Sequence, residues 1–413
     1  MIELADIPQQ ARERIEGLGK VELVLAILSS SAPEALETVV AGARESIAKL
    51  YSPVRTLLIH TGESLGAAPA EDPVRTLAFP MLASPRPGDP VQNISDAYDA
   101  VFSVGESLGA RAVVVIVSDT ESITPQWIYA LARPVLELDF DLVTPCYSHA
   151  RSAGLLNSSI VSPLTRALYG KRIQHPLGPD FGFSARMVER RLAMQPNRGH
   201  THPRSLASVA VDAVCEGFEI CQANVGVRHY PATDWMNQSS VLAQILGPLF
   251  QECEHHASHW QRIRGSQPVP VIGQPIPADA EAEPIDIRRM IESFQLGHRN
   301  LQEIWGVVLP PGTLLELSKL ARLTPEQFHM PDRLWARIIY DFALGHRLRL
   351  ISPDHLLRAM TPLYLAWVAS FMLESVIIEP GAVAQRLEDL ALAFEAAKPY
   401  VVSRWRWPDR FNP

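Results

Sequence analysis

Residues 113–117 read Val-Val-Val-Ile-Val and stop at Ser118-Asp119-Thr120-Glu121. A carboxylate at the end of a buried strand suits one chemistry: its hard oxygen binds Mg2+ or Mn2+, and the ion offsets the charge of a diphosphate. Asp119 can equally cap the turn that follows. His229 closes a second, largely apolar run over 220–228. If both runs are parallel strands of one sheet, the two residues share an edge, and the imidazole can complete a metal site begun by Asp119. Otherwise it makes one hydrogen bond in a loop.

The elements that must position this pair are legible from hydrophobic spacing. Short apolar runs predict strands over 21–28, 56–60, 112–117 and 220–229, and helical spacing follows over 35–50, 91–108, 125–138 and 235–264. Thr124 stands where a helix cap belongs, with Pro125 at the first turn. Strands alternating with helices imply a mostly parallel sheet covered on both faces. Residues 265–284 then carry five prolines and two glycines, the composition of an extended linker. Beyond it the spacing is helical throughout, over 285–305, 313–320, 331–348, 355–376 and 381–400. The expected organisation is a domain over 1–264, a linker over 265–284 and a helical domain over 285–413.

Composition narrows the class of function. A chain of 413 residues with 47% hydrophobic content can bury more than one core, and a net charge of -8 offers no electrostatic footprint for nucleic acid or an anionic membrane surface. The first residues lack a basic stretch leading into an apolar one, and the uncharged helical stretch 361–373 is too short to span a bilayer. Cys146, Cys215, Cys221 and Cys253 have no CxxC spacing, so reduced thiols in a cytoplasmic protein are expected. His255 and His259 lie four apart beside His256 and Cys253, which reads as a solvated helix face in the absence of HExxH. The basic, Trp-rich stretch over 404–408 reads as a packed terminus.

Between the metal pair runs the segment Leu164-Thr165-Arg166-Ala167-Leu168-Tyr169-Gly170-Lys171-Arg172, followed by His175-Pro176-Leu177-Gly178-Pro179-Asp180-Phe181-Gly182-Phe183-Ser184. It resembles the retaining GT-A-fold synthases of glucosylglycerate and mannosylglycerate and their glucosyl-phosphoglycerate relatives, where a similar run ends in Gly-Gly-Asp-Phe-Gly-Phe-Ser. Ile123-Thr124-Pro125-Gln126-Trp127-Ile128, Val211-Asp212 and Val227-Arg228-His229 fall in the family's order. So do Leu334–Ala343, Thr361-Pro362-Leu363-Tyr364-Leu365, Lys398-Pro399-Tyr400 and Arg404-Trp405 near the end.

The resemblance implies an α/β fold, a GT-A (Rossmann-like, mostly parallel sheet) domain followed by an all-α C-terminal domain. It implies transfer of a hexose from a nucleotide-sugar donor to a glycerate-like or other small hydroxylated acceptor, with a divalent cation (Mg or Mn) as cofactor. Asp119 and His229 correspond to metal ligands, and Asp180 and Asp212 to catalytic acids of the pocket. Thr61, Ser118, His149, Arg151, Tyr340 and Tyr364 are the expected substrate contacts, the two tyrosines at the rim of a cleft. A homodimer is the expected assembly, with no nucleic-acid or membrane partner.

Several donor-side positions depart from the pattern. Val117 replaces the first acid of the DxD motif, Leu28-Ser29-Ser30-Ser31 the Pro-x-x-Asn loop, Thr61-Gly62-Glu63-Ser64 the Asp-Gly-Gly-Ser loop, and Asn93-Ile94-Ser95 the Gly-Lys-Gly loop. On the acceptor side His149 and Ala153 replace an Arg and an Asp, and Trp367 another Arg, which leaves Arg151 and Arg166 as the nearest cations in sequence for an acceptor carboxylate. Lost charge-assisted contacts of this kind cost about 1.5–3 kcal/mol each. The alternative to an active transferase is therefore a catalytically degenerate relative that binds a sugar, a nucleotide or an active subunit.

Overall fold

The computed structural model describes residues 13, 15, 17–28, 33–50, 55–61, 74–78, 90–117, 119–194, 206–230, 233–277, 285–375, 377–379 and 381–408. Its strands are β1 (Leu23–Ile27), β2 (Thr56–His60), β3 (Val74–Ala78), β4 (Ala112–Ile116), β5 (Leu142–Ser148), β6 (Lys171–Arg172), β7 (Phe181–Ser184), β8 (Ile220–Val227), β9 (Gln267–Pro268) and β10 (Val271–Ile272). They fall into two compact units. The first comprises Met1–His149, His175–His229 and Val269–Ala278, and the second Ala150–Gln174, Tyr230–Pro268 and Asp279–Pro413.

The first unit is built on an eight-stranded sheet of order β10-β8-β5-β7-β4-β1-β2-β3. Every pairing is parallel except those of β7, which runs antiparallel to both β4 and β5. β1, β2, β4 and β5 are buried almost end to end, as strands covered on both faces must be, and β-branched residues dominate β4. The chain runs outward from β1 to β3 and then returns to β4 on β1's other side, so the order reverses between β1 and β4. In such sheets a crevice opens at that point, outside the carboxyl ends of the strands.

The antiparallel β7 has a consequence for the same edge. Val115 is opposite Phe181, so Asp180, the residue that enters β7, falls opposite Ile116, the last residue of β4, beside the exit at Val117. The helix Pro125–Leu138 covers this part of the sheet. Thr124 caps it by accepting from the Trp127 N–H at 3.3 Å, Pro125 opens it, and Asp139 ends it in the left-handed conformation at φ 58°. Trp127, Ile128 and Leu131 from this helix join Val114, Ile116, Val143 and Val225 in the core.

The second unit is helical, and its boundaries differ from those expected. Residues 150–174 and 230–268 belong to it together with the C-terminal helices. The helix Ser162–Tyr169 packs on the long helix Ala382–Arg406, which also packs on Asp332–Leu348, while Ile287–Asn300 packs on Thr361–Ser375. Arg166, buried, explains the attachment: its guanidinium bridges Glu388 at 2.5 Å and Glu395 at 2.6 Å. Lys398 donates to the Leu168 carbonyl at 2.8 Å, with burial pushing its amine down to about 8. Arg404 pairs with Asp341 at 2.9 Å, and the Tyr400 hydroxyl donates to the same carboxylate. The family-like residues near the C-terminus thus pin this unit's own core.

The proline-rich stretch is more ordered than a linker. β9 pairs with β6 in the second unit, and β10 adds the last strand to the sheet of the first; 278–284 lie outside the described residues. The run Pro353–Ser375 is long and apolar enough to cross a membrane, yet 83% of its most apolar window is buried inside the protein, as in the core helix of a globular unit.

Candidate functional site

At the carboxyl edge of the first unit's sheet the loop after β4 meets the loop after β8. Asp119 is held from within its own loop: the Ser122 N–H donates to one carboxylate oxygen at 2.9 Å and the Ser122 hydroxyl to the other at 2.9 Å. The same hydroxyl accepts the backbone N–H of His229 at 2.9 Å. One buried serine therefore ties together two loops that are 107 residues apart in sequence. As a result ligand atoms of Asp119, Glu121 and His229 all lie within 4.8 Å of one another. Two oxygen–metal bonds of about 2.1–2.6 Å span about 4.2–5.2 Å, so all three side chains can reach one ion. Two carboxylates with an imidazole are a donor set that suits Mn2+ or Mg2+.

Asp180 lies beside this loop and is fully buried. Its carboxylate accepts the Val117 N–H at 2.7 Å and the Tyr147 hydroxyl at 2.5 Å. Both oxygens of this expected catalytic acid hold protein groups, and the side chain positions the exit of β4 against β5. The Tyr98 hydroxyl donates to the Pro179 carbonyl and fixes the turn before it.

Tyr147 is the centre of a second cluster. Its ring lies 5.4 Å from that of Trp127 and 4.8 Å from that of His175, and the guanidinium of Arg228 sits 4.7 Å above it. His149, at the end of β5, stacks edge-on to His175 at 5.9 Å. Burial, reinforced by the neighbouring His149 and Arg228, pushes His175 down to about 3 and keeps it neutral. Arg228 directly precedes His229, so this aromatic wall with its guanidinium adjoins the possible metal ligands. Such a wall can receive an anionic or hydroxyl-rich substrate.

The other expected site residues are placed as follows. Thr61 lies at the carboxyl end of β2, on the same edge, and is buried. Ser118 lies outside the described residues, as do 29–32 and 62–73. The Asp212 carboxylate accepts from Arg191 at 2.8 Å with both side chains buried, an ion pair between the helices Ala185–Ala193 and Leu206–Glu216. Arg151 donates to the Ser375 carbonyl at 2.6 Å, and Arg166 is consumed by Glu388 and Glu395. Tyr340 and Tyr364 are interior residues rather than rim residues: both are buried, and the Tyr340 hydroxyl donates to the Phe394 carbonyl at 2.8 Å. Trp367 stacks against Phe371 and Trp335 in the helical core.

No family model matches the chain, and no curated protein matches it. Among solved structures it is similar to the glucosyl-3-phosphoglycerate synthase of Mycobacterium tuberculosis in complex with phosphoglyceric acid, at 19% identity over 59% of this chain and 84% of that one, with a TM-score of 0.39. The mannosyl-3-phosphoglycerate synthase of Rubrobacter xylanophilus is similar at 16% identity, covering 64% of this chain and 84% of that one, with a TM-score of 0.40. A mannosyltransferase of Pyrobaculum calidifontis, in complex with GDP-Man and Mn2+, covers 94% of this chain and 93% of its own at 10% identity and a TM-score of 0.36. These are similarities of fold outline.

Sequence reasoning missed Ser122, Glu121, Tyr147 and His175 as parts of the site. Tyr147 and His175 become visible only once β7 is known to lie between β4 and β5, because that strand order brings Asp180 to Tyr147. Glu121 stood in plain view two residues after Asp119, but spacing alone does not say which way a turn aims its side chains.

Proposed function

We propose that the first unit is the catalytic domain of a metal-assisted, retaining glycosyltransferase that moves a hexose from a nucleotide sugar to a glycerate-like or other small hydroxylated acceptor. The observation that carries this is the convergence of Asp119 and His229 at the carboxyl edge of the sheet, beside the reversal of strand order. Family-like motifs in the same order along the chain support the class of reaction and the retention of configuration.

Asp119 and His229 would hold the cation. When bound, the ion offsets the charge gathering on the departing diphosphate. The remaining work falls to the chain itself. Asp180 keeps the Val117 backbone and the Tyr147 hydroxyl in place, so the loop carrying Asp119 does not drift relative to β5. Arg228 and His149 face the acceptor and orient it. In a same-face displacement the bond from the anomeric carbon to the diphosphate oxygen breaks as the bond to the acceptor oxygen forms, and the acceptor proton passes to the departing phosphate oxygen. Neutral His175 adds no charge to compete for either anion.

A second, catalytically degenerate role is favoured by Val117, which offers no carboxylate where the family has its first acid. Mass spectrometry of the full chain incubated with Mn2+, a panel of nucleotide hexoses and glycerate or phosphoglycerate distinguishes the two. Formation of a glycoside and a nucleoside diphosphate, lost in Asp119→Ala, is the expected result. Binding of a nucleotide sugar without turnover of any donor in the panel would leave the degenerate role.

A further inference from the structure

Glu121 has no counterpart in the two-ligand metal site expected from sequence. Among the described residues its carboxylate makes no hydrogen bond and no ion pair, and neither does the imidazole of His229. Both are exposed, yet each has a ligand atom within 4.8 Å of the other and of Asp119. Two ionised carboxylates at such a distance repel each other, and a cation bound between them relieves that repulsion. The third member is already prepared for that cation. Both Asp119 oxygens accept hydrogen bonds from Ser122, the support that ligating carboxylates receive in metal sites, and the Ser122 hydroxyl fixes the backbone that carries His229.

Resting on the metal-assisted reading above, we propose that Glu121 is the third protein ligand of the cation and supplies the second carboxylate that Val117 cannot. Asp119 and Glu121 come from one turn and His229 from the loop after β8, so the ion closes the gap between the two loops. Three ligands from the chain bind the ion before any nucleotide arrives. A site with only Asp119 and His229 would instead depend on diphosphate oxygens to complete it. Oxygen ligands with one imidazole nitrogen rank Mn2+ above Mg2+.

The test is a titration of the chelator-treated full chain with Mn2+, followed by the electron paramagnetic resonance of free Mn2+, without nucleotide and then with a nucleoside diphosphate. The wild-type chain is expected to bind one Mn2+ without nucleotide. Losing a supporting partner of a ligand already costs about 10–100-fold in metal affinity, so Glu121→Gln should weaken binding at least about tenfold, with added diphosphate recovering part of it. Because Glu121 is exposed and unbonded, the variant should melt with the wild type. If Glu121→Gln binds Mn2+ as tightly as wild type while Asp119→Ala does not bind, Glu121 is no ligand and the two-residue site stands. If the wild type binds no Mn2+ even with diphosphate, the metal-assisted reading falls along with the proposal.

Discussion

His175 shows how a single buried residue couples the site to pH. Its pKa falls from the ordinary 6.5 to about 3 on folding, chiefly through burial and then through His149 and Arg228. The unfolded chain therefore binds the proton first. The stability due to the neutral ring is complete above about 6.5 and is lost as pH falls from there toward 3, by up to about 1.4 kcal/mol per pH unit. Chemical denaturation between pH 7.5 and 4.5 should show the wild type losing stability on the acid side and His175→Phe, which keeps the ring against Tyr147, losing less. Equal acid limbs would contradict the assignment. The sequence marked Asp119 and His229 as a pair because strand-end position is a local property. It did not reveal the partners of Asp180 and Asp212, because the donors that surround a carboxylate come from elsewhere in the chain, and here these are the Val117 N–H with Tyr147, and Arg191.

At the scale of elements, β7 explains why the Asp-Phe-Gly-Phe-Ser run is written as it is. Asp180 meets the end of β4, and Phe181 and Phe183 are buried, with Phe183 edge-on to Phe102 at 4.8 Å. Ser184 caps the next helix by accepting from the Met187 N–H at 3.2 Å. Gly182 lets the helix Pro125–Leu138 press onto the strand, since a Cβ there would stand 2.3 Å from the Leu131 carbonyl oxygen. Gly182→Ala must push that helix away, and a loss of about 1–3 kcal/mol or more is expected in urea melts; a variant as stable as wild type would mean the helix is free to move. β1, β2, β4 and the capped helix were legible because their signals are continuous apolar runs and a Thr-Pro start. β6, β9 and β10 were not, because a two-residue strand has no periodicity of its own and exists only through its partner.

At the scale of the whole chain, its division into a mostly parallel α/β part and a helical part was legible, but the assignment of residues 150–174 and 230–268 to the helical unit was not. That assignment rests on partners far along the chain, such as Trp335 donating to the Ser159 carbonyl at 2.9 Å and Arg166 bridging Glu388 and Glu395. Hydrophobic spacing reports a helix's apolar face without naming what covers it. The same limit explains Arg151, Arg166 and Tyr340, chosen for their chemistry and found bonded within the helical unit, and Tyr364, found buried in it. What remains at the sheet edge is Asp119 and His229 held by Ser122, with Glu121, Arg228 and His149 beside them. The central claim is that this edge binds a nucleotide sugar through a cation. It is tested most directly by calorimetry of the full chain against a panel of nucleotide hexoses, with Mn2+ present or chelated and with Asp119→Ala in parallel. Heat of binding that requires both Mn2+ and Asp119 is the predicted result. Binding that is unchanged by chelation and by Asp119→Ala would contradict it.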